Sequence, residues 1–120
     1  MSSDAFYRRL AVTADQRIRA RGSRCLLRRN GIADRECFAV VVEYSSRERR
    51  GDVILDEDKL ALITPVDLEI PPSKEAGDLL VTFAEDGTTE DEVFMIVNKP
   101  GDLKQGRIIM YYECQLRPMQ

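Results

Sequence analysis

The residues best equipped for chemistry in this chain are its arginines. All twelve basic side chains of residues 1–50 are arginine, in two groups: Arg8, Arg9, Arg17, Arg19, Arg21, Arg24, Arg28 and Arg29, then Arg47, Arg49 and Arg50, with Arg35 between them. A guanidinium stays charged at any physiological pH and can grip a phosphate or a carboxylate with two parallel donors. Such a surface suits nucleic acid or an acidic protein partner. The stretch Arg47, Glu48, Arg49 and Arg50 is the candidate contact for a partner or for DNA. Arg8, Arg9, Arg17 and Arg21 are the candidate contact for a neighbouring subunit. The plainer reading is a solvated helix face whose arginines pair with acids of the same molecule or its neighbour. Few aromatics interleave with the arginines, which argues against a barrel that stacks single-stranded bases.

The other reactive residue types point away from catalysis. With no histidine, every imidazole triad or dyad is excluded, as are the common zinc sites that use His ligands. Cys25, Cys37 and Cys114 lack the paired spacing of a zinc ribbon and the base a catalytic thiol needs, so they read as reduced, small apolar side chains. Cys25 and Cys37 can face each other across a hairpin. Asp56, Glu57 and Asp58 sit on a turn without the glycine and distal glutamate of a calcium loop, so a solvated turn is favoured over a metal site. Glu90, Asp91 and Glu92 read as the polar tip of a hairpin. The glycines are isolated, so there is no phosphate-cradling loop. An enzyme is disfavoured, and no cofactor or metal is expected.

The acids do carry one physical implication. Residues 1–50 hold twelve basic and six acidic side chains, and residues 51–120 hold six basic and fifteen acidic. The net charge of −3 therefore hides a +6 half followed by a −9 half. A subunit polarised in this way suits head-to-tail self-association, which closes into a ring when the rotation permits.

These residues need elements to position them. Phe6, Leu10, Ala14 and Ile18 recur every four residues, with Tyr7 and Ala11 beside them, which predicts an amphipathic helix over about 4–21 that packs its Phe6-Leu10-Ile18 stripe on the body. Gly22 is placed to end it with a left-handed residue. Beyond it the pattern becomes extended: segments 24–29 and 36–44 flank Asn30-Gly31, and Val40, Val41 and Val42 favour a pleated surface. Residues 45–52 read as a charged, mobile loop. Short strands are then predicted at 53–55, 60–64, 79–84, 93–98 and 107–116, with prolines marking reversals between them. No segment between strands is long enough for a helical crossover, which excludes a parallel sheet. The expectation is an α+β chain, residues 1–120 in a single domain. It has an N-terminal amphipathic helix followed by a small antiparallel β-barrel or curled sandwich of about six or seven strands, the β body running over about 24–117. The longest apolar run, residues 38–42, is far short of the roughly 20 residues that span a bilayer. The amino terminus lacks the apolar stretch of a secretory signal, so no membrane partner is expected and the chain reads as cytoplasmic.

From Val53 onward the order of features resembles the head-tail joining proteins of long-tailed phages, also called head-completion, stopper or neck proteins. The matching pattern is a short strand, Asp56-Glu57-Asp58-Lys59, Leu60 to Ile63, Pro71-Pro72, Gly77-Asp78-Leu79-Leu80, Val93 to Val97, a loop with Asp102-Leu103 and Gly106, and a closing strand over 108–117. It covers about the last seventy residues. The resemblance implies a non-enzymatic barrel that assembles as a ring beneath a portal, helps to retain packaged DNA and docks the tail. Implied partners are copies of itself, a portal or adaptor protein and a tail protein, with non-specific DNA contact in the channel. The implied place is the virion neck, assembled in the host cytoplasm. The arginine-rich first half departs from the family pattern, which leaves the DNA-facing surface unassigned. Two other readings stand beside it: a tail terminator or tail-completion protein, and a small nucleic-acid-binding barrel using the same arginines.

Overall fold

The structure is a computed structural model that describes residues 2–44, 54–66, 68–98, 100–105 and 108–119. Helix α1 (Ser2–Arg21) leads into seven strands: β1 (Ser23–Arg28), β2 (Arg35–Glu43), β3 (Lys59–Ile63), β4 (Leu79–Phe83), β5 (Glu90–Ile96), β6 (Gly101–Gln105) and β7 (Ile108–Pro118). The strands run β3-β2-β1-β4-β5-β7, and a further antiparallel pairing of β3 with β7 closes this set into a six-stranded barrel, with β6 added to the first half of β7. The architecture is thus α+β with a small closed barrel.

Alternation along each strand fills the barrel. Cys25 and Leu27 of β1, Cys37 and Ala39 of β2, Ala61 and Ile63 of β3, Leu80 of β4, Phe94 and Ile96 of β5, and Tyr112, Cys114 and Leu116 of β7 form the core. Six strands enclose a narrow interior, so small side chains must sit among the large ones. The register sets Ala39 against Ile63 and brings small residues opposite each other at Cys25–Cys37 and Ala61–Cys114, where the strands leave least room. Leu27, Ile63, Leu80 and Leu116 are each 0% exposed, and each such burial stabilises the fold by roughly 1.5–3 kcal/mol. The sequence expectation that Cys25 faces Cys37 across a hairpin is realised, with all three thiols free.

The helix ends where expected, but for a different reason. Gly22 N–H donates to Ile18 O at 2.7 Å, and the left-handed glycines are Gly31, Gly77 and Gly87 instead. A Cβ on Gly22 would overlap the carbonyl oxygen of Ala39, so glycine is needed for the close approach of helix and β2. The packing stripe also differs. Ile18 is 5% exposed, whereas Phe6 and Leu10 are 44% and 40% exposed. A residue four positions along a helix advances by about 40° around the axis, so Leu10 and Phe6 wind progressively off the line on which Ile18 faces the barrel. The side nearest the barrel is Tyr7, Ala11, Ala14 and Ile18, and α1 packs chiefly on β7 and β2.

Three other expectations change. Of the strand expected at 53–55, Val53 lies outside the described residues, Ile54 lies in a bend and Leu55 in irregular backbone, neither in a strand. β6, read from the sequence as loop, is a strand. Its Gly-Asp-Leu-Lys-Gln sequence has no strand signal of its own; it is extended because β7 continues past the barrel and offers it a ladder. Asp58 is 0% exposed, not solvated with its neighbours. No helix among the described residues is long and apolar enough to cross a membrane.

Candidate functional site

Most arginines of the first half that the structure describes in contact with acids are used within the molecule. Arg29 donates from Nε to Asp78 Oδ1 at 2.6 Å and from Nη2 to Oδ2 at 2.8 Å, while Arg35 Nη2 reaches the same Oδ2 at 3.1 Å. Arg35 Nη1 also donates to Ile70 O at 2.8 Å. Burial pushes the Asp78 carboxyl up, but the donors from Arg29, Arg35 and the Ser73 backbone outweigh it and leave the group below its ordinary value. Arg28 bridges Asp34 and Glu90 at 2.9 and 2.7 Å, and its donors hold both carboxyls below their ordinary values. Arg24 lies over the Phe83 ring at 4.3 Å and donates to Gly87 O at 2.6 Å. Arg19 lies over Phe38 at 4.5 Å and pairs with Asp15 at 2.8 Å. This is the plainer of the two sequence readings, in which arginines meet acids of the same chain.

The four helix arginines expected to meet a neighbour behave differently. Arg8, Arg9, Arg17 and Arg21 are all exposed, and none forms an ion pair among the described residues. An advance of about 100° per residue puts Arg17 and Arg21 on one face with Phe6 and Leu10, Arg9 on its flank, and Arg8 on the far side. Arg21, in the last turn, also suits the negative end of the helix dipole. The other candidates, Arg47, Glu48, Arg49 and Arg50, lie outside the described residues, as does the whole loop expected at 45–52.

Two buried carboxylates escape the sequence reading. Asp58 accepts from Arg117 Nε and Nη2, each at 2.9 Å, from Gln115 Nε2 at 2.8 Å and from Leu55 N at 2.9 Å. The Arg117 donors hold its carboxyl down to about 2. Asp78 is the second. Each stands immediately before a strand, and that placement of an acid against an apolar run is the sequence signal that could have marked it. Both are saturated by donors, so neither is available as a base.

The concave surfaces carry no converging reactive groups among the described residues. A cleft of ≈ 400 Å³ is lined by Arg19, Arg35, Phe38, Leu68 and Ile70 among others; Arg19 and the two Nη of Arg35 are engaged as described, while Arg35 Nε is buried without a hydrogen-bond partner among the described residues. No group of three His, Cys, Asp or Glu among the described residues could hold a metal ion. Burial pushes the Cys25 thiol up to about 11 and the Cys114 thiol up to about 12, far from the thiolate a nucleophile requires. The described surface carries an arginine-bearing helix and exposed acids that make no ion pair among the described residues, among them Glu85, Asp91 and Glu92 of the β4–β5 hairpin and Glu43, Glu69 and Glu113 elsewhere. Compared with known proteins, the chain matches no family model, no curated protein and no solved structure.

Proposed function

We propose that this chain is a ring-forming head-tail connector, a head-completion or stopper protein that joins a phage portal to its tail and helps to retain packaged DNA. The observation that supports this reading most is the polarity of the subunit. A closed barrel buries the carboxylates of its saturated Arg-Asp pairs and leaves, among the described residues, arginines on α1 without ion pairs and exposed acids without ion pairs on the strands and their connections, among them Glu43, Asp56, Glu57, Glu69, Glu85, Asp91, Glu92 and Glu113. A rigid body with opposite charges on separate elements is suited to repeated head-to-tail contact. In this reading α1 is an amphipathic arm toward a neighbour, and Arg47, Glu48, Arg49 and Arg50 face the portal, the tail or the DNA channel. The protein works in the virion neck after assembly in the host cytoplasm, without catalysis or cofactor.

The test is assembly with natural partners. The chain is co-expressed with the products of its neighbouring genes, and the purified complex is examined by negative-stain electron microscopy and native mass spectrometry at low salt. A ring bound to a portal-type or tail-type neighbour is the expected result. A chain that stays monomeric at high concentration with those neighbours present overturns the reading. Retention of DNA at moderate salt with a steep salt slope, in place of assembly, moves it to a small nucleic-acid-binding barrel.

A further inference from the structure

One edge of β2 is paired only in part, and a cleft stands where its ladder stops. The β1–β2 ladder covers Arg35 to Ala39, whereas the β2–β3 ladder covers only Ala39 to Glu43. Past Ile63 the chain gives β2 a further hydrogen bond, Thr64 N–H to Phe38 O at 3.2 Å, and then turns away, with Leu68 N–H donating to Pro65 O at 3.1 Å. Main-chain groups alternate sides along a strand. Glu36, two residues before Phe38, therefore points both its N–H and its C=O to the side that β3 has left. Among the described residues neither group has a hydrogen-bond partner there.

That side is the cleft of ≈ 400 Å³. Glu36 and Phe38 line it from the outer face of β2, and Arg35 and Cys37 from the inner face, as befits a space beside a strand edge. Its far wall is Val66, Leu68 and Ile70. Val66 and Ile70 are 43% and 40% exposed. Leu68 is buried in the core, and Arg35 Nη1 holds Ile70 O at 2.8 Å, so the wall is fixed before anything enters. Two exposed carboxylates complete the lining. Glu69 makes no ion pair among the described residues, and the pairing of Glu36 with Arg24 Nη1, at 3.5 Å between exposed groups, contributes little.

We propose that this edge takes an extended segment of a partner protein as an added strand, antiparallel to β2, with a basic side chain opposite Glu36 and β-branched apolar side chains on either side of it. A residue that exchanges both N–H···O bonds with Glu36 completes the antiparallel pattern. In such additions main-chain bonds give affinity and alternate side chains give specificity. The residue opposite Glu36 shares its face, so the flanking side chains turn to the inner side, where Leu68 joins the core and Ile70 meets Arg35. The free edge, Arg35 to Phe38, is about 13 Å long. Open main-chain donors and acceptors select a polypeptide, and the carboxylates repel a phosphate backbone. Two copies joined edge to edge would set Glu36 against Glu36, like charges directly opposite, so the added strand belongs to a different chain. This site stands apart from the connector reading and does not depend on it.

NMR titration of the isotope-labelled full chain tests the proposal. The probe is the end-blocked peptide threonine-valine-lysine-valine-threonine. It should give saturable shifts at the amides of Glu36, Phe38, Val66 and Ile70, with slowed exchange at Glu36. The same peptide N-methylated at its lysine should bind at least tenfold more weakly, because the bond to Glu36 O is lost. A peptide with glutamate in place of lysine should bind about fivefold more weakly. Glu36→Lys, at an exposed site, should reverse that preference, with circular dichroism confirming its fold. No shift at Glu36 with millimolar peptide overturns the site. Equal binding of the parent and N-methylated peptides overturns strand addition. If duplex DNA moves the same amides and the peptide does not, the cleft belongs to nucleic acid and the proposal is wrong. If the chain self-assembles and the peptide dissolves that assembly, the occupant is a second copy and the assignment to a different chain is wrong.

Discussion

Arg117 and Asp58, 59 residues apart, are joined by two hydrogen bonds of 2.9 Å, Nε to Oδ1 and Nη2 to Oδ2. They stand where β3 meets β7, the pairing that closes the barrel. The carboxylate is 0% exposed and accepts from Gln115 Nε2 and Leu55 N as well. Replacing it by alanine removes the acceptor of all four hydrogen bonds, two of them from a guanidinium. Asp58→Ala should lower stability by about 2–3 kcal/mol in urea denaturation. Arg117→Lys should lower it less, because one charged donor remains. Equal losses in the two variants would mean that the Gln115 and Leu55 hydrogen bonds contribute nothing.

The same pair dictates an acid transition. Donors from Arg117 hold Asp58 down to about 2, against an ordinary value of 3.8. The unfolded chain therefore takes up a proton first as the pH falls. The stabilisation, about 2 kcal/mol, is fully present above pH 4–5 and is lost as the pH drops through 3.8 toward 2. Asp78, also held below its ordinary value, acts in the same direction. Urea midpoints measured at several pH values from 7 to 2 should fall more steeply for the wild type than for Asp58→Asn. Parallel curves would remove Asp58 from the account.

How much of this is legible in the sequence depends on the range of the interaction. The strand at Val40 to Val42 and the turn at Asn30-Gly31 follow from local chemistry, and both stand close to where the pattern puts them, whereas the helix ends at Gly22 as expected but through a tertiary contact with Ala39. The barrel closure does not, because the pairing of Ala61 with Cys114 joins distant parts of the chain through register alone. β6 escapes a local reading because its extension is imposed by β7. Asp58 reads as one of three solvated acids, since nothing local announces that Arg117 will arrive beside it. The candidate surface is half legible. Arg17 and Arg21 are exposed as their positions suggest, but Phe6 and Leu10 stand outside the core that their spacing predicts, because an every-four pattern tracks a helix face only over a few residues.

Gly22 gives a sharp test of the helix–strand junction. A Cβ there meets the Ala39 and Ile18 carbonyl groups, which are backbone and cannot swing away. Gly22→Ala should cost about 1–3 kcal/mol through overpacking. Gly77 provides the contrast: it has φ +74°, but a Cβ added to it would meet nothing within 4 Å. Gly77→Ala should therefore cost only about 1 kcal/mol of backbone strain. Thermal unfolding of the two variants should rank them in that order.

The three thiols should be chemically silent until the barrel opens. Cys25, Cys37 and Cys114 are 1%, 4% and 0% exposed, and burial pushes each thiol up. Reaction with a thiol reagent at pH 8 should be negligible in the folded protein and complete in denaturant. Its rate should follow the urea dependence of unfolding. Rapid labelling of any one cysteine in the folded state would show that its strand opens locally.

The last prediction concerns the segment that precedes β4. Asp78 accepts from Ser73 N at 3.0 Å while receiving Arg29 and Arg35 from the end of β1 and the start of β2. Those two arginines also hold the chain before it, Arg29 through Pro71 O at 3.4 Å and Arg35 through Ile70 O at 2.8 Å. One carboxylate thus clamps residues 70–78, which have turns but no strand of their own, onto the barrel. Asp78→Asn keeps the shape of the side chain, removes its charge and weakens every one of these contacts. Amide exchange at Ser73 and Gly77, whose N–H groups are bonded within this segment, should then accelerate at least tenfold. Exchange at Leu27 and Phe94, in the middle of the barrel, should change only by the global loss of stability. Arg29→Gln should reproduce part of the effect, and its combination with Asp78→Asn should be less than additive, because both remove the same contact. If exchange rises uniformly over the whole chain, Asp78 supports the barrel as a unit and the clamp does not exist as a separate device.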